Sequence, residues 1–172
     1  MLLLLLNGLP VASPQTVPSL AVGPSESALR DASVESALSA QGTTVATIER
    51  TLLALIAIAP NDDRFDLYRT YDELLGAWAQ VDGLHTVLDR AAALASTGED
   101  ATARAELRDH AEFSLWELDS AIGRLADIAH ALRRPDDIAA NVAARDVLLR
   151  VRTTVAAILD DECARIRCSR IR

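Results

Sequence analysis

Four long stretches of the chain carry an apolar residue at every third or fourth position, and this spacing limits the fold more than any other feature. The second stretch illustrates it with Leu67, Tyr71, Leu74, Trp78 and Val81. Residues so spaced lie on one face of an α-helix, which has about 3.6 residues per turn. Because the stripe continues for several heptads in each stretch, as in a coiled coil, the sequence predicts an all-α protein.

Short links separate the four stretches: Pro60 closes the first, residues 96–98 follow the second, and Pro135 opens the fourth. The stretches begin with residues that favour a helix N-terminus, such as Asn61 before two aspartates, because carboxylates offset the helix dipole there. Links this short join antiparallel neighbours, so we predict an antiparallel up-down-up-down four-helix bundle over residues 25–168. Its helices are predicted at 25–59, 62–96, 99–133 and 136–168.

The composition favours helices that pack on helices. Half of the 172 residues are hydrophobic but only 3% are aromatic, so Ala, Leu, Val and Ile supply most of the apolar surface. A sheet would favour β-branched and aromatic residues. The length suits one domain with its own core.

The turns predict which residues lie at the same height, because residues equidistant from an antiparallel turn face each other. Trp78 falls level with Trp116 to Leu118, with Gly42 in the first helix and with Thr153 in the fourth. The largest side chains would then meet the smallest, as close packing requires. The alternative is that the first helix ends at Gly42 and a new helix begins just after it.

Residues 1–24 differ from the rest of the chain. Five leucines follow Met1 and lead into a Pro/Ser/Val-rich stretch without helical spacing. The leucine run is too short to span a bilayer but resembles the apolar centre of a secretion signal, without its basic start. We therefore expect a signal-like or disordered N-terminal segment and an exported protein. The alternatives are a misassigned start codon or a merely disordered tail in a cytoplasmic protein.

Charge and missing motifs exclude several function classes. The formal net charge is −8, which argues against nucleic-acid binding because phosphate neutralisation needs a basic face. All 17 basic residues are arginines, so the chain lacks the lysine of a Schiff-base enzyme or a P-loop. The common enzyme signatures are missing too, and no stretch has the length and hydropathy of a transmembrane helix.

Two histidines carry the one site hypothesis. His85 precedes the turn centre at residue 98 by 13 residues and His110 follows it by 12, so the two are predicted to be level. The same height holds Glu35 in the first helix and Glu162 in the fourth. Two imidazoles and two carboxylates compose a metal site in a bundle core, and two facing histidines could instead ligate haem.

The plain alternative needs no ligand. His85 would be half-buried and bonded to a neighbouring side chain, and His110 would pair with Glu106 one turn away on an exposed face. No cofactor is then expected.

The two cysteines, Cys163 and Cys168, are five residues apart. In a continuous helix they would point about 140° away from each other, which fits neither a disulfide nor a shared metal ion. Cys163 lies on the apolar face and is expected in the core. A local disulfide forms only if the last turn unwinds.

The leading functional expectation is a non-enzymatic helical-bundle interaction protein with a protein partner or a second copy of itself. It depends on apolar residues outside the stripes, which widen the helix faces or else fill a broad core. They are Phe65, Phe113, Leu148 and Val151. The alternative is a metal- or cofactor-binding bundle around His85 and His110.

Overall fold

The computed structural model describes residues 26–165, with side chains from residue 32 onward except at positions 82 and 85. Within this range the chain is helical apart from short links, and no strand occurs, so the all-α prediction is confirmed. No helix of this range is long and apolar enough to cross a membrane. Residues 1–24, predicted as the signal-like segment, lie outside the described residues. The helices are α1 (Glu26–Ile58), α2 (Asn61–Asp82), α3 (Leu84–Ser96), α4 (Asp100–Ala129) and α5 (Pro135–Arg165).

The five helices form four rods, because α2 and α3 are separated only by Gly83. α1 packs against α2 and α5, α4 packs against α2, α3 and α5, and α2 also reaches α5 across the interior. Contacts between neighbours join residues equidistant from the turns: the Tyr71 hydroxyl donates to Glu49, and Arg152 donates to Asp119. Contacts of this kind are expected between antiparallel neighbours.

Two helix boundaries differ from the prediction. The second helix, predicted to run unbroken over 62–96, is interrupted at Gly83, whose ψ of −10° departs from regular helix. Glycine costs a helix about 1 kcal/mol relative to alanine, so the break falls at one of the two residues of this rod with the lowest helix propensity, the other being Gly76. α4 ends at Ala129 rather than at 133, because the next two N–H groups donate to carbonyls three residues back. Pro135 then disfavours helical geometry in the residue before it.

The core is almost entirely aliphatic. Burying a leucine or valine side chain contributes about 1.5 to 3 kcal/mol relative to leaving it exposed, so these stripes supply most of the stabilisation. Leu148 and Val151 belong to this core, so of the four residues predicted outside the stripes these two fill the interior. The largest fully buried side chains are Leu52, Leu67, Leu74, Leu84, Leu107, Leu118, Leu125, Ile128, Leu148 and Leu159.

The predicted contact between Trp78 and Gly42 is confirmed, whereas the prediction that Trp116 packs inside at the same level is wrong. α1 continues through Gly42, and a Cβ added there would lie 3.0 Å from Cζ2 of Trp78. Trp116 instead points outward with 61% of its surface exposed. Leu118 takes the interior position at this level, and a residue two places earlier lies about 200° away around the helix.

Cys163 is buried, as expected, but it is also disulfide-bonded. The argument from spacing assumed a helix unbroken to residue 168, whereas α5 is described as helix only to Arg165. The expectation that no disulfide forms is therefore wrong. Cys168, the only other cysteine of the sequence, lies outside the described residues.

The glycines of the helices give a test of the packing between α1 and α2. We expect Gly76→Ala to raise the free energy of unfolding by about 0.5 to 1 kcal/mol, because it gains helix propensity and nothing lies within 4 Å of the added methyl group. Gly42→Ala gains the same propensity but presses on Trp78, so its net effect is expected to be close to zero.

Urea unfolding of the two variants measures the difference. In a Trp78→Ala background the contact is gone, so Gly42→Ala should then stabilise as much as Gly76→Ala does. An equal gain from both glycine variants in the wild-type background would show that Trp78 does not press on residue 42.

Candidate functional site

His110 lies half-buried on α4, at the side that faces α3. Its Nε2 is 3.2 Å from the hydroxyl oxygen of Ser114, one turn further along the helix. Burial lowers the pKa of His110 below its usual 6.5, so the ring is neutral at pH 7. The expected pair with Glu106 does not form, because the Glu106 carboxylate binds Arg90 of α3 at 2.8 Å instead.

A surface cleft of about 390 Å³ opens beside His110, between α3 and α4. Val87, Ala105 and Phe113 give it apolar walls, and the carboxylates of Glu106 and Asp109 stand among its lining residues. Ser114 is only 1% exposed, so its hydroxyl is held in the interior, where it serves as a partner for His110 rather than meeting a molecule in the cleft.

Glu162 and Glu35, two of the other three predicted ligands, lie elsewhere. Glu162 is buried and binds Arg165 at 2.8 Å, beside a different cleft of about 300 Å³ between α1, α3 and α5. Glu35 is exposed on α1. His85 belongs to α3, but its side chain is outside what the structure describes. The structure therefore does not bring His110 and Glu162 to one cleft.

A metal centre at the predicted layer would depend on His85. Among the side chains that the structure describes, no three His, Cys, Asp or Glu residues come together in a way that could hold a metal ion. The metal or haem hypothesis stays a prediction, and elemental analysis of untagged protein tests it directly. If a metal ion is bound, we expect a stoichiometric metal content and a melting temperature that is lower with chelator than without it.

A second polar cluster was not anticipated from the sequence. Asp63, in the first turn of α2, and Asp137, in the first turn of α5, are both buried, and Asp137 is 0% exposed. Their carboxyls lie within hydrogen-bonding distance, yet neither oxygen of Asp137 meets a donor. Two ionised carboxylates only accept, so this contact becomes a hydrogen bond when one of them carries a proton.

The surroundings favour a proton on Asp137. Burial raises the pKa of this carboxyl most, and the charge and hydrogen bond of Asp63 and the charge of Asp136 raise it further. Arg134, with its Nε 3.8 Å from the Asp137 carboxylate, lowers the pKa but does not cancel the burial.

A hydrogen bond next to this pair joins α2 to α5 across the interior. The amide of Asn141 donates to the Thr70 hydroxyl at 3.0 Å, and that hydroxyl donates to the carbonyl of Asp66. The amide oxygen of Asn141 is buried without a donor. The sequence contains one indication of this cluster: Asp63 and Thr70 occupy positions of the stripe that runs through the apolar residues Leu67 and Leu74, so their side chains face the interior.

Four of the six aromatic side chains are exposed, whereas Tyr71 and Trp78 pack against the core. Phe65 and Tyr68 are exposed on α2, and Phe113 and Trp116 are exposed on α4. The rings of Phe113 and Trp116 lie 6.5 Å apart between centroids, tilted by 36°. Phe65 and Phe113 are thus the two residues outside the predicted stripes that do widen an outer face.

The comparisons with known proteins add no relative. No protein-family model, curated protein or solved structure matches this chain.

The acid pair gives a stability test with a defined sign. A carboxyl whose pKa is raised by folding stabilises the fold most at low pH, and this contribution is lost as the pH rises from about 3.8 through the raised value. Asp137→Asn keeps the shape, is neutral at every pH and offers Asp63 a donor. We expect it to raise the free energy of unfolding at pH 7 by about 1 kcal/mol.

Urea unfolding between pH 4 and pH 8 checks this expectation. The difference between Asp137→Asn and the wild type should grow as the pH rises, whereas the exposed neighbour variant Asp136→Asn should show no such trend. A constant difference across this range would mean that Asp137 is ionised throughout.

Proposed function

We propose that this protein is an antiparallel up-down-up-down four-helix bundle that acts by binding another protein and has no catalytic activity of its own. The four rods and their antiparallel contacts support this arrangement. The bundle would serve as a rigid support that holds side chains on its outer faces in fixed positions.

The observation that carries the proposal is the location of the aromatic residues. The sequence has only six, and four of them are exposed: Phe65, Tyr68, Phe113 and Trp116. Phenylalanine and tryptophan stabilise a fold most when they are buried, yet this core is built from smaller aliphatic side chains. Exposed aromatic side chains are enriched where proteins bind each other, because they bury a large area on contact.

We also propose that the protein works outside the cytoplasm. Two observations support export: the leucine-rich segment at the N-terminus and the disulfide at Cys163. Disulfides persist in secreted and periplasmic proteins, whereas cytosolic thiols are kept reduced.

Photo-crosslinking in the native cell tests the binding function. A photoreactive phenylalanine analogue would replace Phe65, Trp116, Leu53 or Leu149 in turn, so that each of the four rods carries one exposed probe. We expect at least one probe on α2 or α4 to give a specific product, whose partner then binds the purified protein. The probes at Leu53 and Leu149, aliphatic positions on α1 and α5, are the matched controls.

Two outcomes would contradict the proposal. Equal background labelling from all four probes would argue against a binding surface. A partner that crosslinks but fails to bind the purified protein would mean that the labelling reports proximity only. Light scattering after size exclusion separates a heterologous partner from a second copy, because a strict monomer removes self-association.

A further inference from the structure

The outer face of α4 combines aromatic and acidic side chains in one helical row. Asp109, Glu112, Phe113 and Trp116 follow the spacing i, i+3, i+4 and i+7, and all four are exposed. Residues at this spacing share a face of the helix. The same helix turns Ala111, Ser114 and Leu118 to the core, so the row lies opposite the interior.

The charges on this face are not neutralised by neighbours. Residues 109–117 include three acidic residues and no arginine. Of the arginines near the face, Arg152 binds Asp119 at 2.8 Å and Arg90 binds Glu106 at 2.8 Å. Arg108, one turn before Glu112, is exposed and forms no ion pair with it. Among the described residues, Asp109 and Glu112 form no ion pair, so their carboxylates are available to a cationic ligand.

The cleft beside Phe113 fits a long side chain with an apolar stem and a charged end. Its apolar walls include Val87 and Phe113, and the carboxylate of Asp109 stands at the same opening. An arginine lays its methylene groups along apolar surface and places its guanidinium on a carboxylate. Trp116, one turn beyond, offers its face to a second apolar or cationic group.

We propose that this acidic aromatic face of α4, defined by Asp109, Glu112, Phe113 and Trp116, binds a basic amphipathic segment of the partner protein. The inference rests on the proposed binding function and names the chemistry of the partner. Phe113 and Trp116 anchor the apolar side of the segment, and the two carboxylates bind its arginines or lysines. Complementary charge selects the partner, and the aromatic contacts supply most of the affinity.

Binding of two synthetic peptides to the full-length protein tests the proposal. One peptide is a 16-residue amphipathic helix with leucines on one face and arginines on the other, and its match has glutamate at every arginine position. Fluorescence anisotropy of the labelled peptides gives the Kd. We expect the basic peptide to bind at least tenfold more tightly than the acidic one, and more weakly at high salt.

Variants with matched controls separate this face from the general negative charge of the protein. Trp116→Ala and the double variant Asp109→Asn/Glu112→Gln should each weaken binding of the basic peptide at least tenfold. Leu53→Ala removes an exposed apolar side chain from α1, and Asp160→Asn/Asp161→Asn removes two exposed charges from α5. Neither control should change the Kd, and circular dichroism should show unchanged melting, because every substituted side chain lies on the surface.

Three results would overturn the proposal. They are equal affinity for both peptides, an unchanged Kd for Trp116→Ala, and a dimer of the protein that Trp116→Ala abolishes, which would make a second copy the ligand. Crosslinks that form at Phe65 but not at Trp116 would leave the binding function intact while removing this face as its site. The two proposals can therefore fail separately.

Discussion

Burial of one aliphatic stripe along each rod is the constraint on which everything else in this structure depends. Leu52, Leu67, Leu118 and Leu148 are fully buried at the meeting of the rods, and the same kinds of side chain repeat along the interior. Such a core requires neighbouring helices to approach each other closely, which small residues allow. At Gly42, for example, the ring of Trp78 packs against the α1 backbone. The surface ion pairs between rods, such as Arg124 with Glu73, each contribute at most about 1 kcal/mol and serve to fix alignment more than stability.

The polar exceptions to this core are concentrated where α2 and α5 approach each other. Asp63, Asp137, Thr70 and Asn141 are buried there, and only the last two form a conventional hydrogen bond. An aliphatic cluster at the same place would cost less, because unpaired buried oxygens lose hydration. Such groups add specificity, because hydrogen bonds of a carboxyl pair and an amide form in few geometries. They therefore favour one register of α2 against α5 over registers shifted by a turn.

Because aliphatic residues fill most of the interior, four of the six aromatic side chains lie on the outside. The rings of Phe113 and Trp116 contact each other on the outer side of α4, a continuous helix of 30 residues. Rigid presentation lowers the entropy lost on binding, since neither the helix nor the two aromatic side chains must be ordered first. The packed bundle therefore holds the side chains of the acidic aromatic face in fixed positions.

The sequence by itself determined the all-α class, the number of rods and the positions of most core residues, because the 3.6-residue period and the short links are local properties of the chain. It also located the contact between Trp78 and Gly42, since turn positions set heights. The apolar stripes also indicated which face of each helix turns inward, Leu118 included. The tertiary structure decided the partners of the polar side chains and of residues beside the stripes: it turned Trp116 outward, paired Glu106 with Arg90 instead of His110, and buried Asp63 beside Asp137. The period of a helix fixes its inner face, whereas the partner of a polar side chain depends on which neighbouring groups the assembled rods bring within reach.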